Sequence, residues 1–183
     1  MRSFVIFSFL FLSLGQSTFA QKFFSKNAQL SFAAGTPLEK IDAVNKSGTV
    51  VLDITTGKIE SAVLVNGFQF DRALMQEHFN ENYMESAKFP KAMFKGTMDP
   101  KSASQLTKDG KYSIKVSGDM TMHGATKPMT TTVNFVVQQG KIKATTAFNV
   151  VLDDFNINIP SLVKDKVAKE TKVQVDADLQ PLK

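Results

Sequence analysis

Apolar and polar residues alternate most regularly over residues 111–137. In the first half of this stretch Ile114 and Val116 fall on one parity and polar residues fall on the other. In the second half Val133 and Phe135 repeat the pattern. A period of two residues is that of a β-strand with one buried face, so the stretch predicts two strands.

The two predicted strands are separated by residues 123–128, which contain Gly124 and Pro128. Glycine suits a tight turn, and proline cannot supply the N–H group that the middle of a sheet requires. We predict a turn over these six residues and a long β-hairpin with one apolar and one polar face.

Shorter stretches of the same alternation predict further strands, separated by turns that contain glycine or proline. These strands are expected at residues 28–34, 50–54, 59–65, 94–98, 142–152, 155–159 and 173–179, with a weaker candidate at 40–45. The segments between them are expected to form a turn at residues 46–48, a surface connection at 101–111 and one or two helical turns at 162–167.

One segment has clear helical spacing. Leu74, Met75, His78 and Phe79 occupy positions i, i+1, i+4 and i+5 after Asp71, a residue type that often caps helices. The predicted helix is about two turns long, which is marginal for a helix in water. We therefore expect it to dock on the open end of a sheet or barrel.

About eight strands with one apolar face, joined mostly by tight turns, indicate an all-β fold: one antiparallel sheet curled into a barrel, or two packed sheets. The inward parity mixes large residues such as Phe32 and Phe94 with small ones such as Ala144 and Thr146. This mixture leaves room inside such a barrel for a ligand. A membrane-spanning barrel is disfavoured, because the chain has no tryptophan and only two tyrosines to form aromatic girdles.

The first twenty residues have the pattern of a secretory signal peptide. Arg2 precedes a short apolar run at residues 4–14, and small residues occupy the two positions that a signal peptidase reads. We predict a signal peptide at residues 1–20, a mature domain at 21–183, and a periplasmic or extracellular location. The run is shorter than the roughly 20 residues that span a bilayer, so no transmembrane segment is expected in the mature chain.

Composition disfavours several classes of function. The chain has no cysteine, which excludes disulfides and thiolate metal sites. Its net charge of +5 falls to +4 without residues 1–20, and the lysines are spread along the chain instead of forming a stripe. Nucleic acid is therefore not an expected partner.

Residues that commonly carry chemistry are sparse. The two histidines, His78 and His123, lie far apart in the sequence, so no metal site is predicted. His78 is expected to pack at the end of the domain, and His123 to lie in the hairpin turn. The adjacent acids Asp153 and Asp154 would point to opposite faces of a strand, and no G-x-S-x-G motif occurs. We predict no catalytic residues and no cofactor.

Seven methionines follow Met1, concentrated around the central hairpin, the predicted helix and the strand after it. Methionine is flexible and polarizable, so it suits both an ordinary core and a surface that binds variable apolar ligands. The pattern alone leaves both interpretations open.

Several segments together resemble the YceI-like family. They are residues 70–75 with 78–80, 87–90 with 94–96, 155–160 and, most specifically, the run Gly-Asp-Met-Thr-Met-His-Gly-Ala-Thr-Lys-Pro at 118–128. The resemblance covers almost the whole predicted mature chain in the same order. It implies a secreted bacterial protein whose lipocalin-like antiparallel β-barrel, of about eight strands with one or two short helices, binds polyisoprenoid or other long-chain lipids.

The resemblance also favours a ligand-lining role for the methionines and inward-facing aromatics. The predicted lipid-binding residues, six in the wall and three at the mouth, are Phe32, Phe94, Met120, Met122, Phe135 and Phe148, and Leu74, Phe79 and Met84. The expected partner is a long-chain isoprenoid or fatty lipid, and association as a homodimer is left open. Two alternatives remain: a ligand-free adaptor with a filled barrel, and a small lipid-acting enzyme that would need a polar cluster around Asp71, Glu77 and His78.

Overall fold

A computed structural model describes residues 22–182, and the predicted signal peptide lies outside the described residues. Nine antiparallel strands form one sheet, and eight of them close into a barrel. The strands are β1 Lys22–Gly35, β2 Asp42–Asp53, β3 Lys58–Leu64, β4 Gln69–Phe70, β5 Lys91–Thr97, β6 Gly110–Met122, β7 Ala125–Gln138, β8 Lys141–Val151 and β9 Val167–Pro181.

The order of strands around the barrel is β1-β9-β8-β7-β6-β5-β3-β2, and pairing of β1 with β2 closes it. The two-residue β4 adds a short pairing to β2 near the start of that strand. This architecture confirms the predicted all-β antiparallel barrel of about eight strands.

Two short helices accompany the barrel. Helix α1 spans Ala73–His78 and continues as a π-helical turn at Phe79–Tyr83, while α2 spans Pro100–Ser104. The residue at the N-cap of α1 is Arg72, not Asp71, and no side chain caps the helix. Among residues 22–182, no helix is long and apolar enough to cross a membrane.

The central hairpin is longer than predicted. β6 and β7 pair up to Met122 and Ala125, so the turn consists of His123 and Gly124 alone, both with positive φ (49° and 74°). The prediction of a six-residue turn is therefore wrong, and Pro128 lies within β7. Proline is tolerated there because β7 pairs with β8 only over its second half, so the missing N–H has no partner to lose.

The predicted turn at residues 46–48 lies inside β2. A Cβ atom at Gly48 would lie 2.3 Å from the side chain of Leu30 and 2.9 Å from the carbonyl oxygen of Ala28. The pairing of β1 with β2 also shifts register at Ala28. Glycine is needed here for the close approach of the neighbouring strand at a bulge, not for a turn.

Residues 155–159 do not form the predicted strand. A 3₁₀ turn at Leu152–Phe155 and a left-handed residue, Asn156 (φ 58°), redirect the chain. Phe155 and Ile157 are nevertheless buried, because they pack against residues from the facing ends of β6, β7 and β8. A further 3₁₀ turn spans Ser161–Val163, within the region for which one or two helical turns are predicted.

The two ends of the barrel differ. At the closed end, where β1 begins, α2 and the following 3₁₀ turn place Ala103 and Leu106 in the main core, 0% and 1% exposed. The prediction that residues 101–111 are only a surface connection is therefore wrong. At the opposite end, which we call the mouth end, the strands are connected by the two-residue turn at 123–124 and by residues 36–41, 65–90 and 152–166.

Truncation of the residue that fills the closed end tests its role in the core. Leu106→Ala is expected to lower the free energy of unfolding by about 3 kcal/mol, because it removes buried methyl groups and leaves a cavity. The matched control Leu162→Ala, at a side chain that is 91% exposed, should change it by less than about 0.5 kcal/mol. Urea unfolding measures both, and equal stabilities of the two variants would contradict the assignment.

Candidate ligand-binding site

The barrel encloses a cavity of about 530 Å³ that opens at the mouth end. Inward-facing residues of all eight barrel strands line it, and nearly all of them are apolar. Charged side chains in the lining are confined to the entrance, namely Glu39, Arg72 and Lys166. The volume falls within the roughly 300–1,000 Å³ typical of small-molecule sites.

The cavity exists because inward positions at this level of the barrel hold small side chains. Ser61, Ala144 and Thr146 all line it. At the closed end the inward positions instead include Leu52 and Phe135, each 0% exposed, and the interior is packed. Large side chains such as Phe94 and Phe148 also line the cavity, so the expected mixture of large and small inward residues is present in its wall.

Eight of the nine predicted lipid-binding residues line the cavity. They come from four barrel strands, from α1 and from the π-helical segment that follows it: Phe32, Leu74, Phe79, Met84, Phe94, Met120, Met122 and Phe148. Their contact with a ligand stays a prediction.

Phe135 is placed differently from the other eight. Its side chain faces inward but is fully buried in the main core and does not line the cavity, although its cross-strand neighbour Ala144 does. It pairs across the sheet with Tyr112 and Ala144 near the closed ends of their strands. Its contribution is to core packing in this structure.

Sequence reasoning also passed over residues that line the cavity. Met75, Met93 and Met129 join the predicted methionines in the lining, so that six of the seven methionines after Met1 reach it; Met98 packs in the main core. The clustering of methionine was therefore the usable signal for these positions. Phe68 and Phe70 also line the cavity and follow no strand periodicity that would have predicted it.

An aromatic cluster attaches the helical segment to the barrel. The Phe79 ring stacks on Phe32 with centroids 5.4 Å apart, and it contacts Phe70 at 5.0 Å and Phe68 at 5.9 Å. Such pairs add about 0.5–1.5 kcal/mol each beyond their buried area. The short α1 is therefore held over the barrel end, as its marginal length requires.

Few polar atoms are available to a ligand in the wall. The Thr146 hydroxyl donates to the Thr132 carbonyl oxygen (2.9 Å) and lies 2.8 Å from the Thr131 hydroxyl. The Thr171 hydroxyl is buried in the lining, and no hydrogen-bond partner for it occurs among the described residues. The wall is therefore mostly apolar, with a few hydroxyl groups among its lining residues.

Glu39 connects three segments of the entrance. Its carboxylate accepts a hydrogen bond from the Arg72 guanidinium of the α1 segment and pairs with Lys166 at 3.4 Å. The Thr36 hydroxyl donates to the Asp165 carbonyl oxygen at 2.7 Å. The hydrogen bond from Arg72 is the main cause that holds the pKa of Glu39 below its usual range, with Lys166 contributing less.

His123 connects two other mouth-end segments. Its Nδ1 donates to the Phe155 carbonyl oxygen at 2.9 Å, and its Nε2 lies 3.0 Å from a carboxylate oxygen of Glu85. The ring also packs edge-on against Phe89, with centroids 4.8 Å apart. His123 lies in the hairpin turn as predicted, but it is 8% exposed and ties the turn to both neighbouring connections.

The side chains proposed for a lipid-acting enzyme do not converge. Asp71 is 91% exposed and lies 3.9 Å from Lys40, and neither Asp71 nor Glu77 lines the cavity. His78 is exposed at the cavity edge, not packed as expected. Within residues 22–182, no group of three or more histidine, aspartate or glutamate side chains is placed to hold a metal ion.

A closed eight-stranded barrel with an apolar cavity open at one end defines a protein of the type that holds an apolar ligand. The chain belongs to the YceI-like family, because the sequence model of the YceI-like domain matches residues 15–179. None of the curated protein sequences matches the chain significantly.

Solved structures share the fold at low sequence identity. A polyisoprenoid-binding domain from Saccharophagus degradans is 12% identical with a TM-score of 0.77, covering 89% of this chain and 99% of that one. BcnA from Burkholderia cenocepacia is 16% identical with a TM-score of 0.66, covering 83% and 94%. A Campylobacter jejuni YceI protein is 14% identical with a TM-score of 0.51, covering 72% and 80%.

The acidity of Glu39 tests the geometry of the entrance. Because its pKa in the folded state is lowered, the ion pair stabilises the fold above the usual pKa of glutamate and is lost as the pH falls through the lowered pKa. Arg72→Gln is expected to raise the Glu39 pKa toward its usual value, and Lys166→Gln is expected to raise it less. Carbon-13 NMR titration of the glutamate carboxyl groups measures this.

Lys40→Gln is the control, since Lys40 pairs with Asp42 and Asp71 and not with Glu39. A Glu39 midpoint in the ordinary range in the unsubstituted protein, or one unmoved by Arg72→Gln, would contradict the described contacts.

Proposed function

We propose that this protein is a secreted binding protein that holds one long-chain lipid in the barrel cavity. The observation that carries the proposal is the cavity itself, which is apolar on all sides and open at one end. Water gains few hydrogen bonds in such a space, and an apolar chain loses none on moving into it.

The size of the cavity sets the length of chain that it accommodates. A methylene group takes up about the volume share of one water molecule, roughly 30 Å³. The cavity of about 530 Å³ then holds on the order of 18 chain carbons. Each buried methylene contributes roughly 0.8 kcal/mol, so a chain of this length binds firmly without many polar contacts.

The position of the charged groups indicates the orientation of the lipid. Glu39, Arg72 and Lys166 stand only at the entrance, whereas the deep wall is formed by residues such as Phe94 and Val133. Burying a polar group in that deep wall without a partner is unfavourable. We infer that the apolar tail points toward the closed end and that the polar group faces the entrance.

Family membership and the predicted leader support the same proposal. The Saccharophagus degradans neighbour is described as a polyisoprenoid-binding domain, and an isoprenoid is one chemical form of the long-chain lipid proposed here. The signal-peptide pattern of residues 1–20 is consistent with a periplasmic or extracellular site of action. The alternative of a filled-barrel adaptor is disfavoured by the cavity, and catalysis is not part of the proposal.

Filling the cavity from one of its small lining residues tests the proposal. Ser61→Phe projects a ring into the cavity and should weaken binding of a fluorescent polyunsaturated fatty acid to delipidated protein at least about 10-fold, equivalent to roughly 1.4 kcal/mol. The matched control is Ser117→Phe, at an exposed position of β6 that does not line the cavity. It should bind the probe as the unsubstituted protein does, within about 2-fold.

Circular dichroism and thermal unfolding verify that both variants keep the fold. Probe binding that is undiminished in folded Ser61→Phe would show that the cavity is not the site. Failure of the folded, unsubstituted protein to bind any long-chain probe would overturn the proposal as a whole.

A further inference from the structure

The most exposed large apolar side chains of the described chain are three leucines. Leu162 is 91% exposed, Leu38 is 72% exposed and Leu74 is 60% exposed, whereas no other large apolar side chain among residues 22–182 exceeds 47%. Each of the three belongs to a different connection at the mouth end. Together we call them the leucine rim.

The contacts at the entrance hold these three connections beside one another. Glu39, the residue after Leu38, pairs with Arg72 near Leu74 and with Lys166 near Leu162. Leu74 is both exposed and part of the cavity lining. The leucine rim therefore lies on the connections that frame the opening of the cavity, and Leu74 belongs both to the rim and to the apolar wall.

The charges around the leucine rim balance one another. Over residues 36–42, 71–78 and 160–167 there are four cations and five acids, with histidine counted as neutral. Lys40 pairs with Asp42 at 3.4 Å and Asp71 at 3.9 Å. An anionic surface would thus gain little from this end of the protein, and any contact that the rim makes has to come from the leucines.

We propose that the leucine rim docks the mouth of the barrel on the surface of a lipid bilayer, with the three leucines inserted at the boundary between head groups and acyl chains. This inference rests on the proposed function, because a bilayer is the source or destination of a long-chain lipid. Leucines on loops around an opening suit a soft, laterally fluid surface, into which each inserts separately. A bilayer at this position also lets a lipid pass between membrane and cavity without crossing water, whereas a folded protein partner would cover the opening.

The absence of cysteine from the sequence makes a direct test possible. Ser161→Cys carries an environment-sensitive fluorophore beside Leu162 and leaves all three leucines in place. The control label is Lys141→Cys, at the closed end of β8. The labelled protein is expressed from the full sequence, including residues 1–20, and purified in the form that the cell produces. It is then mixed with vesicles of zwitterionic phosphatidylcholine.

The label at residue 161 is expected to shift to shorter wavelength and to be quenched by brominated acyl chains, while the label at residue 141 is not. In the Leu38→Ser/Leu162→Ser double variant the vesicle partition coefficient should fall about 30-fold or more, because two exposed apolar side chains are lost. Leu182→Ser, the same change at a 46%-exposed leucine of the closed end, should leave it unchanged. Adding anionic lipid should also change the partition coefficient little.

Docking is overturned if the label at residue 161 does not reach the acyl chains, if the label at residue 141 does so instead, or if the double variant partitions as before. Binding that occurs only on anionic vesicles would equally overturn it, since the leucines would then not be the cause. Leu38 and Leu162 do not line the cavity, so the double variant should still bind the fatty-acid probe. A double variant that no longer docks on vesicles but still binds the probe supports docking by the leucines independently of the proposed function. If the unsubstituted protein does not bind the probe, that result counts against the proposed function and not against docking.

Discussion

Closure of the sheet is the constraint on which the rest of the structure depends. β1 pairs with β2 along one edge and with β9 along the other. The first strand is therefore hydrogen-bonded to the last strand, and the sheet closes into a barrel. The register shifts at Ala28 and the glycine at residue 48 give β1 and β2 the bend that closure requires. Without this seam the cavity would be an open groove with two unpaired strand edges.

A closed barrel of eight strands has an interior just wide enough for side chains to fill or for one ligand to occupy. In this protein side chains fill part of the interior and line a cavity in the rest. The closed end is packed by Phe135, Leu106 and their neighbours. Because no cysteine is present, this core has to supply the stability that disulfides supply in many small secreted proteins. The mouth end is then free to hold small residues and methionines around a void, and loops tied down by Glu39 and His123 frame its opening.

The alternation of residues predicted the fold class because a period of two identifies the buried face of a strand whatever its partner. It did not predict which strands pair, and the errors follow from that. Pro128 was expected to end a strand because proline lacks an N–H, but β8 makes no ladder there. Phe155 and Ile157 alternate and are buried, yet they pack without pairing, since burial and pairing are different requirements.

The residues of the candidate site could be predicted from the sequence about as well as the fold class. Parity and residue type indicated which side chains face inward, and eight of the nine chosen residues line the cavity. Parity does not report whether an inward side chain meets the cavity or is covered by its neighbours, which is why Phe135 was grouped with the wall although it is fully buried in the core. The pairing of Glu39 with Arg72 and Lys166 joins positions far apart in sequence, and no local pattern signals such a contact.

The central claim is that the cavity holds a long-chain lipid, and the most direct measurement is native mass spectrometry of the protein purified gently from its own host. The account predicts a stoichiometric adduct that dissociates on activation and an organic extract containing one dominant long-chain species. A clean mass of the protein alone, together with a crystal structure in which side chains fill the interior, would contradict it.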